Sequence, residues 1–127
     1  MTEPTDPDAR AAIQPDPRVV SLRGALLDLV RRDGRDLTVR QLTAFLSVYM
    51  DPTTYTVSRI ADLLHISRPG ATRLLDRLID IGLVARDDDR EDRRRVLVRR
   101  TPRGLTFFRE LVSATGAVPA EPDAAAA

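Results

Sequence analysis

Apolar residues recur along this chain at two periods, and the change from one to the other marks its organisation. Between residues 19 and 32, Leu22, Leu26, Leu29 and Val30 repeat at helical spacing, and Gly34 stops the run. A second stripe, Leu42, Phe45, Leu46 and Tyr49, follows Thr38-Val39-Arg40-Gln41, whose ends have the residue types of a capping box. Asp51-Pro52 closes it. A third, shorter stripe of Ile60, Leu63 and Leu64 starts from a Thr56 cap and ends in His65-Ile66-Ser67, a tight turn. From residue 67 to 82, Ala71, Leu74, Leu75, Leu78 and Ile81 share one side of a helix, opposite Arg73, Asp76, Arg77 and Asp80. Ser67 is its cap, Pro69 sits in the first turn where a missing N–H costs little, and Gly82 stands at the stop.

After Gly82 the period shortens to two. Residues 83–86 and 95–99 read as strands around DDDREDRR, a charged hairpin tip. Thr101-Pro102 restarts a helix with Leu105, Phe108, Leu111 and Val112 along one face. Pro4, Pro7, Pro15 and Pro17 among acidic and small residues predict a disordered arm over 1–17. The Ala/Pro stretch predicts a disordered tail over 114–127. One domain, 18–113, remains. Short helix, turn, second helix and hairpin, in that order, describe a mainly α fold with a small β-hairpin, a winged helix-turn-helix.

Charge sharpens this picture. The net charge is +1, but residues 1–17 carry −3 and residues 114–127 carry −2, which leaves +6 on 18–113. All twenty basic residues are arginine, a bias that codon usage in a GC-rich genome would explain. Whatever its origin, every cation is then a planar fork suited to guanine edges and phosphates. Ser67 begins a helix that can face an anion, and Arg73 and Arg77 lie one turn apart on its polar side. Arg90, Arg93, Arg94 and Arg95 cluster at the hairpin tip, where they can lie along a minor groove.

Other chemistry finds no support. The chain has no cysteine, and its single histidine, His65, lacks the partners for a metal site or a triad. DDDRED, residues 87–92, lacks the glycine and distal glutamate of a calcium loop and reads as a solvated turn. No nucleophile–base pair or phosphate-cradling glycine loop is present, so an enzyme, a metal and a cofactor are not expected. The N-terminus has no apolar run for a secretory signal and nothing approaches a membrane span. A cytoplasmic, nucleoid-associated protein is expected.

The chain resembles the MarR family of bacterial transcriptional regulators. The resemblance lies in residues 37–42, 55–64 and 67–84, and in Asp92-Arg93-Arg94-Arg95 with Thr101-Pro102-Arg103-Gly104. It covers roughly residues 20–112. It implies a homodimer that sets two recognition helices, residues 67–82, in successive major grooves of a pseudo-palindromic operator, with wings, residues 86–95, in flanking minor grooves. By position, Ser67, Arg68, Pro69, Gly70, Thr72, Arg73 and Arg77 would meet double-stranded DNA. Arg94 would read from the wing tip beside Arg90 and Arg93, braced by Asp92. Family members usually continue for some thirty more residues into dimerising helices. Here the dimer interface is therefore expected on Leu22, Leu26, Leu29, Phe107, Phe108 and Leu111, and a small-molecule effector is not expected.

With no Asn and no Gln on the recognition helix, bidentate reading of adenine is unavailable there. Guanine contacts by Arg68 or Arg73, and thymine-methyl contacts by Pro69, Ala71 or Thr72, are the expected base readout, with Arg77 on phosphate. The function expected is repression by occlusion. The competing reading is a winged-helix protein–protein interaction module with only non-specific DNA affinity, which the five carboxylates of the wing favour.

Overall fold

The computed structural model describes residues 13–32 and 36–116. The arm over 1–12, the Gly34 stop and the tail from 117 onward lie outside them. In chain order the elements are α1 (Pro17–Arg31), α2 (Val39–Met50), β1 (Tyr55–Thr56), α3 (Val57–Leu64), α4 (Arg68–Asp80), β2 (Val84–Asp88), β3 (Val96–Arg100) and α5 (Pro102–Ala114).

Most helix starts follow the local chemistry. Thr38 accepts from the Gln41 N–H at 3.1 Å while the Gln41 side chain accepts from the Thr38 N–H at 2.9 Å, a complete capping box. Thr56, Ser67 and Thr101 cap α3, α4 and α5 through their hydroxyls. The first helix differs from expectation. It begins at Pro17, inside the segment expected to be disordered, because Asp16 accepts from the Arg18 N–H at 2.8 Å and Pro17 suits the first turn.

The strands form one antiparallel sheet in the order β1-β3-β2. Val84 faces Arg100 and Asp88 faces Val96 across the hairpin; Tyr55 and Thr56 pair with Val98 and Leu97. The third strand is absent from the sequence reading, since two residues are too few to show a period.

Around Phe45, Ile60, Leu78, Leu83, Val84 and Phe107, all fully buried, a single core joins α2 to α5 and the sheet. Each such side chain contributes about 1.5–3 kcal/mol through burial. The aromatic residues knit it: Phe45 meets Phe107 edge-on at 5.2 Å, and Phe108 stacks on Tyr49 at 5.9 Å. The Tyr49 hydroxyl donates to the Leu83 carbonyl at 2.6 Å and accepts from the Thr101 N–H at 2.9 Å, tying α2 to both ends of the hairpin. Gly104 makes room for it; a Cβ there would lie 1.7 Å from the Tyr49 oxygen.

The first helix is attached differently. It lies against α5, where Gly24 passes so close that a Cβ would stand 2.4 Å from the Ala114 carbonyl oxygen. Arg32 pairs with Asp28 at 2.8 Å and with Glu110 across the helix pair, its guanidinium 5.2 Å from the Phe107 ring.

Candidate nucleic-acid interface

A face that meets a polyanion needs cations held out from a rigid support. Helix α4 has that form. Ala71, Leu74, Leu75 and Leu78 are buried beneath it, so its rotation about its own axis is fixed. Arg68, Pro69, Arg73, Asp76 and Arg77 are consequently exposed, and Thr72 is half-buried. The turn before it is tight: His65 takes a left-handed conformation, φ 54°, and its N–H bonds back to Ala61 and Asp62. At the other end Gly82, φ 79°, closes α4 and sends the chain into the hairpin.

Among the described residues, neither the Arg73 nor the Arg77 guanidinium makes a hydrogen bond or ion pair, so Asp76 and Asp80 do not neutralise them by contact. Other arginines serve the fold. Arg100 donates to the carbonyls of Val48 and Asp51 at 2.8 and 3.0 Å and lies over Tyr49. Arg59 donates to Thr53 at 2.9 Å. Composition alone does not separate these anchoring arginines from the free ones.

The wing is a built turn. Asp89 and Arg95 close it backbone to backbone at 3.0 Å, and Asp92 accepts from the Arg94 N–H at 3.0 Å. Asp92 thus braces Arg94 through the backbone and leaves its guanidinium exposed. Arg99 pairs with Asp87, and Arg95 lies 3.9 Å from Asp89, which offsets part of the carboxylate charge. Arg90 and Arg93 are exposed and unpaired among the described residues. Arg68 reaches from α4 to the Arg94 carbonyl at 3.3 Å, so helix and wing tip touch directly. Ser67 spends its oxygen on the Gly70 N–H at 3.1 Å, and half-buried Gly70 lies within that cap.

The residues expected at a dimer seam divide. Leu29, Phe107 and Leu111 are buried inside one chain, and Phe108 is half-buried against Tyr49. Leu22 and Leu26 are 57% and 40% exposed and belong to a wider apolar face with Val19 and Val30.

The MarR-family sequence profile matches residues 35–95. A transcriptional regulator, Tm0710 from Thermotoga maritima, superposes with a TM-score of 0.64 at 21% identity, over 77% of this chain and 66% of that one. The YusO protein from Bacillus subtilis gives 0.59 at 23% identity, over 79% and 65%. A mutant MarR from E. coli, solved in complex with operator DNA, gives 0.60 at 26% identity, over 77% and 69%. The chain thus spans about two thirds of the length of these structures. No curated protein sequence matches it. Among the described residues, no helix is long and apolar enough to cross a membrane.

Proposed function

We propose that the chain is a MarR-family, sequence-specific DNA-binding regulator that represses by occluding its operator, a reading supported by the family profile over residues 35–95. Helix α4 reads the major groove and the wing enters the adjacent minor groove, with residues 18–113 as the working unit in the cytoplasm. The observation that carries this reading is the division of α4. Its inner face is locked into the core, while Arg73 and Arg77 project from the outer face without a protein partner among the described residues. Unpaired arginines on a fixed helix have no ion pair to break on meeting DNA, and their contact with phosphates releases counterions from it.

Two copies would place two such helices about one helical turn of DNA apart, as a pseudo-palindromic site requires. The exposed stripe of α1 supports this, since a patch of that kind marks an interface. Base readout rests on Arg73, with Pro69 and Thr72 near thymine methyls, and Arg77 holds phosphate. Arg68 is drawn toward the wing and serves the junction as well as the DNA.

The direct test is a gel shift with genomic fragments at about 0.15 M salt, where charge-only binding weakens sharply. Retention of one fragment over bulk competitor is expected. Equal, weak shifts for all fragments would overturn operator reading and favour a protein partner for the basic face.

A further inference from the structure

Beside α4, on the flank away from the wing, a groove of ≈ 490 Å³ opens between the starts of α2 and α4. Its polar lining is Thr38, Arg40, Gln41, Ser67 and Arg73, and no carboxylate lines it. Arg40 and Arg73 are both exposed, and neither guanidinium has a hydrogen-bond or ion-pair partner among the described residues.

The capping bonds decide what the rest of the lining offers. Thr38 Oγ1 accepts from the Gln41 N–H, Ser67 Oγ accepts from the Gly70 N–H, and the Gln41 side-chain carbonyl accepts from the Thr38 N–H. Those acceptors are engaged inside the fold. What remains for an incoming group is two hydroxyl protons, the Gln41 amide protons and two guanidinium forks. A lining that presents donors and positive charge, with no carboxylate, complements a group that only accepts and is negative. A phosphodiester is such a group.

We propose that this groove seats a backbone phosphate of the bound DNA, with Arg40 of α2 and Arg73 of α4 as its two cationic jaws. The inference rests on the DNA-binding reading and extends it to a residue outside the recognition helix and wing. Arg73 then serves two ends: its fork can bridge the major-groove edge and the phosphate beside it. Arg40, remote from the base edges, contributes affinity without sequence preference.

The test is a salt titration of binding for the full chain, its Arg40→Ala variant and its Arg40→Gln variant, on a selected fragment and on a scrambled duplex. Both variants are expected to lose about tenfold in affinity on the two duplexes alike, and the slope against log salt to fall by about one. A single methylphosphonate, which removes the charge of one phosphate, is then walked along the selected fragment. At one position in each half-site it should weaken the wild type more than it weakens Arg40→Ala, in which only Arg73 still holds that phosphate. Inorganic phosphate at constant ionic strength that competes with DNA for wild type and not for Arg40→Ala would show that the free anion and the backbone phosphate share the groove, as the proposal requires. Unchanged slope and affinity in both variants would overturn the proposal, as would a loss confined to the selected fragment. A wild-type chain that binds but prefers no fragment would defeat operator reading while leaving the phosphate contact measurable.

Discussion

Helices α1 and α4 are nearly equal in length, fifteen and thirteen residues, and both show apolar residues at helical spacing. Their surroundings are opposite. The apolar side of α4 is consumed by the core, and the side left to water carries Arg73, Asp76, Arg77 and Asp80. In α1 only Leu29 is buried, and the surface left to water carries an apolar stripe beside Arg18, Arg23 and Arg31. Wound at about 100° per residue, Val19, Leu22, Leu26 and Val30 fall within a sector of roughly 80°. The side turned to α5 is made instead of Gly24, Asp28, Leu29 and Arg32. A single chain therefore completes α4 and leaves α1 unfinished. An amphipathic pattern says which face is apolar; whether that face is covered by the same chain depends on what packs there.

The sharpest way to break the contrast is to attack the support of α4. Gly104→Ala places a methyl against the Tyr49 oxygen and the Leu83 carbonyl, at 1.7 and 2.1 Å, and should cost more than about 3 kcal/mol. Leu78→Ala, in a fully buried site, should cost about 2–5 kcal/mol. Denaturant melts read both; a change under about 1 kcal/mol for Leu78→Ala would mean that α4 is not held by the core, and one for Gly104→Ala that the passage of α5 past Tyr49 and Leu83 is not tight.

Next in size is DNA binding. Arg73→Ala should lose about 1–3 kcal/mol on a selected site and relax preference at one base position, whereas Arg77→Ala should weaken all sequences evenly. Equal losses on selected and random DNA for both variants would remove the division of labour along α4.

The unfinished helix calls for the reverse experiment. Leu22→Asp with Leu26→Asp should change the stability of the single chain by less than about 0.5 kcal/mol each. The same pair should shift the mass in solution from dimer to monomer. An unaltered mass, whether that of one chain or two, would show that the stripe is not the contact.

The smallest effect concerns the start of α1. Arg18 beside Asp16 holds its carboxyl below the ordinary value of 3.8. A lowered carboxyl stabilises the folded form above its ordinary value, and that contribution fades as pH falls through the lowered one. The protection of first-turn amides, corrected for the intrinsic exchange rate at each pH, should therefore fall below about pH 4, and Asp16→Ala should lower it at neutral pH.

Legibility in the sequence followed locality. The bounds of α4 were readable because Ser67, Pro69 and Gly82 act within a turn of their own positions. The start of α1 was misplaced although its signal, Asp16-Pro17, is equally local: the prolines around it pointed to disorder. The hairpin is expected from the sequence, but both strands start one residue later and β2 ends two residues later, because backbone pairing rather than side-chain alternation sets their ends. Strand β1, the Tyr49 hydroxyl between Leu83 and Thr101, and the close passage at Gly24 depend on residues far apart in the chain. At the candidate interface, the exposure of Arg73 and Arg77 is legible from their face of the helix. The place of Arg40 was not, since it depends on how α2 lies beside α4.

The most direct measurement of the central claim is fluorescence anisotropy of wild type and Arg73→Ala on one selected fragment and its scrambled counterpart, at matched salt. The wild type should prefer the selected duplex, and the variant should lose most of that preference while keeping much of its affinity for scrambled DNA. Indistinguishable affinities for the two duplexes in the wild type would contradict a reading helix at α4.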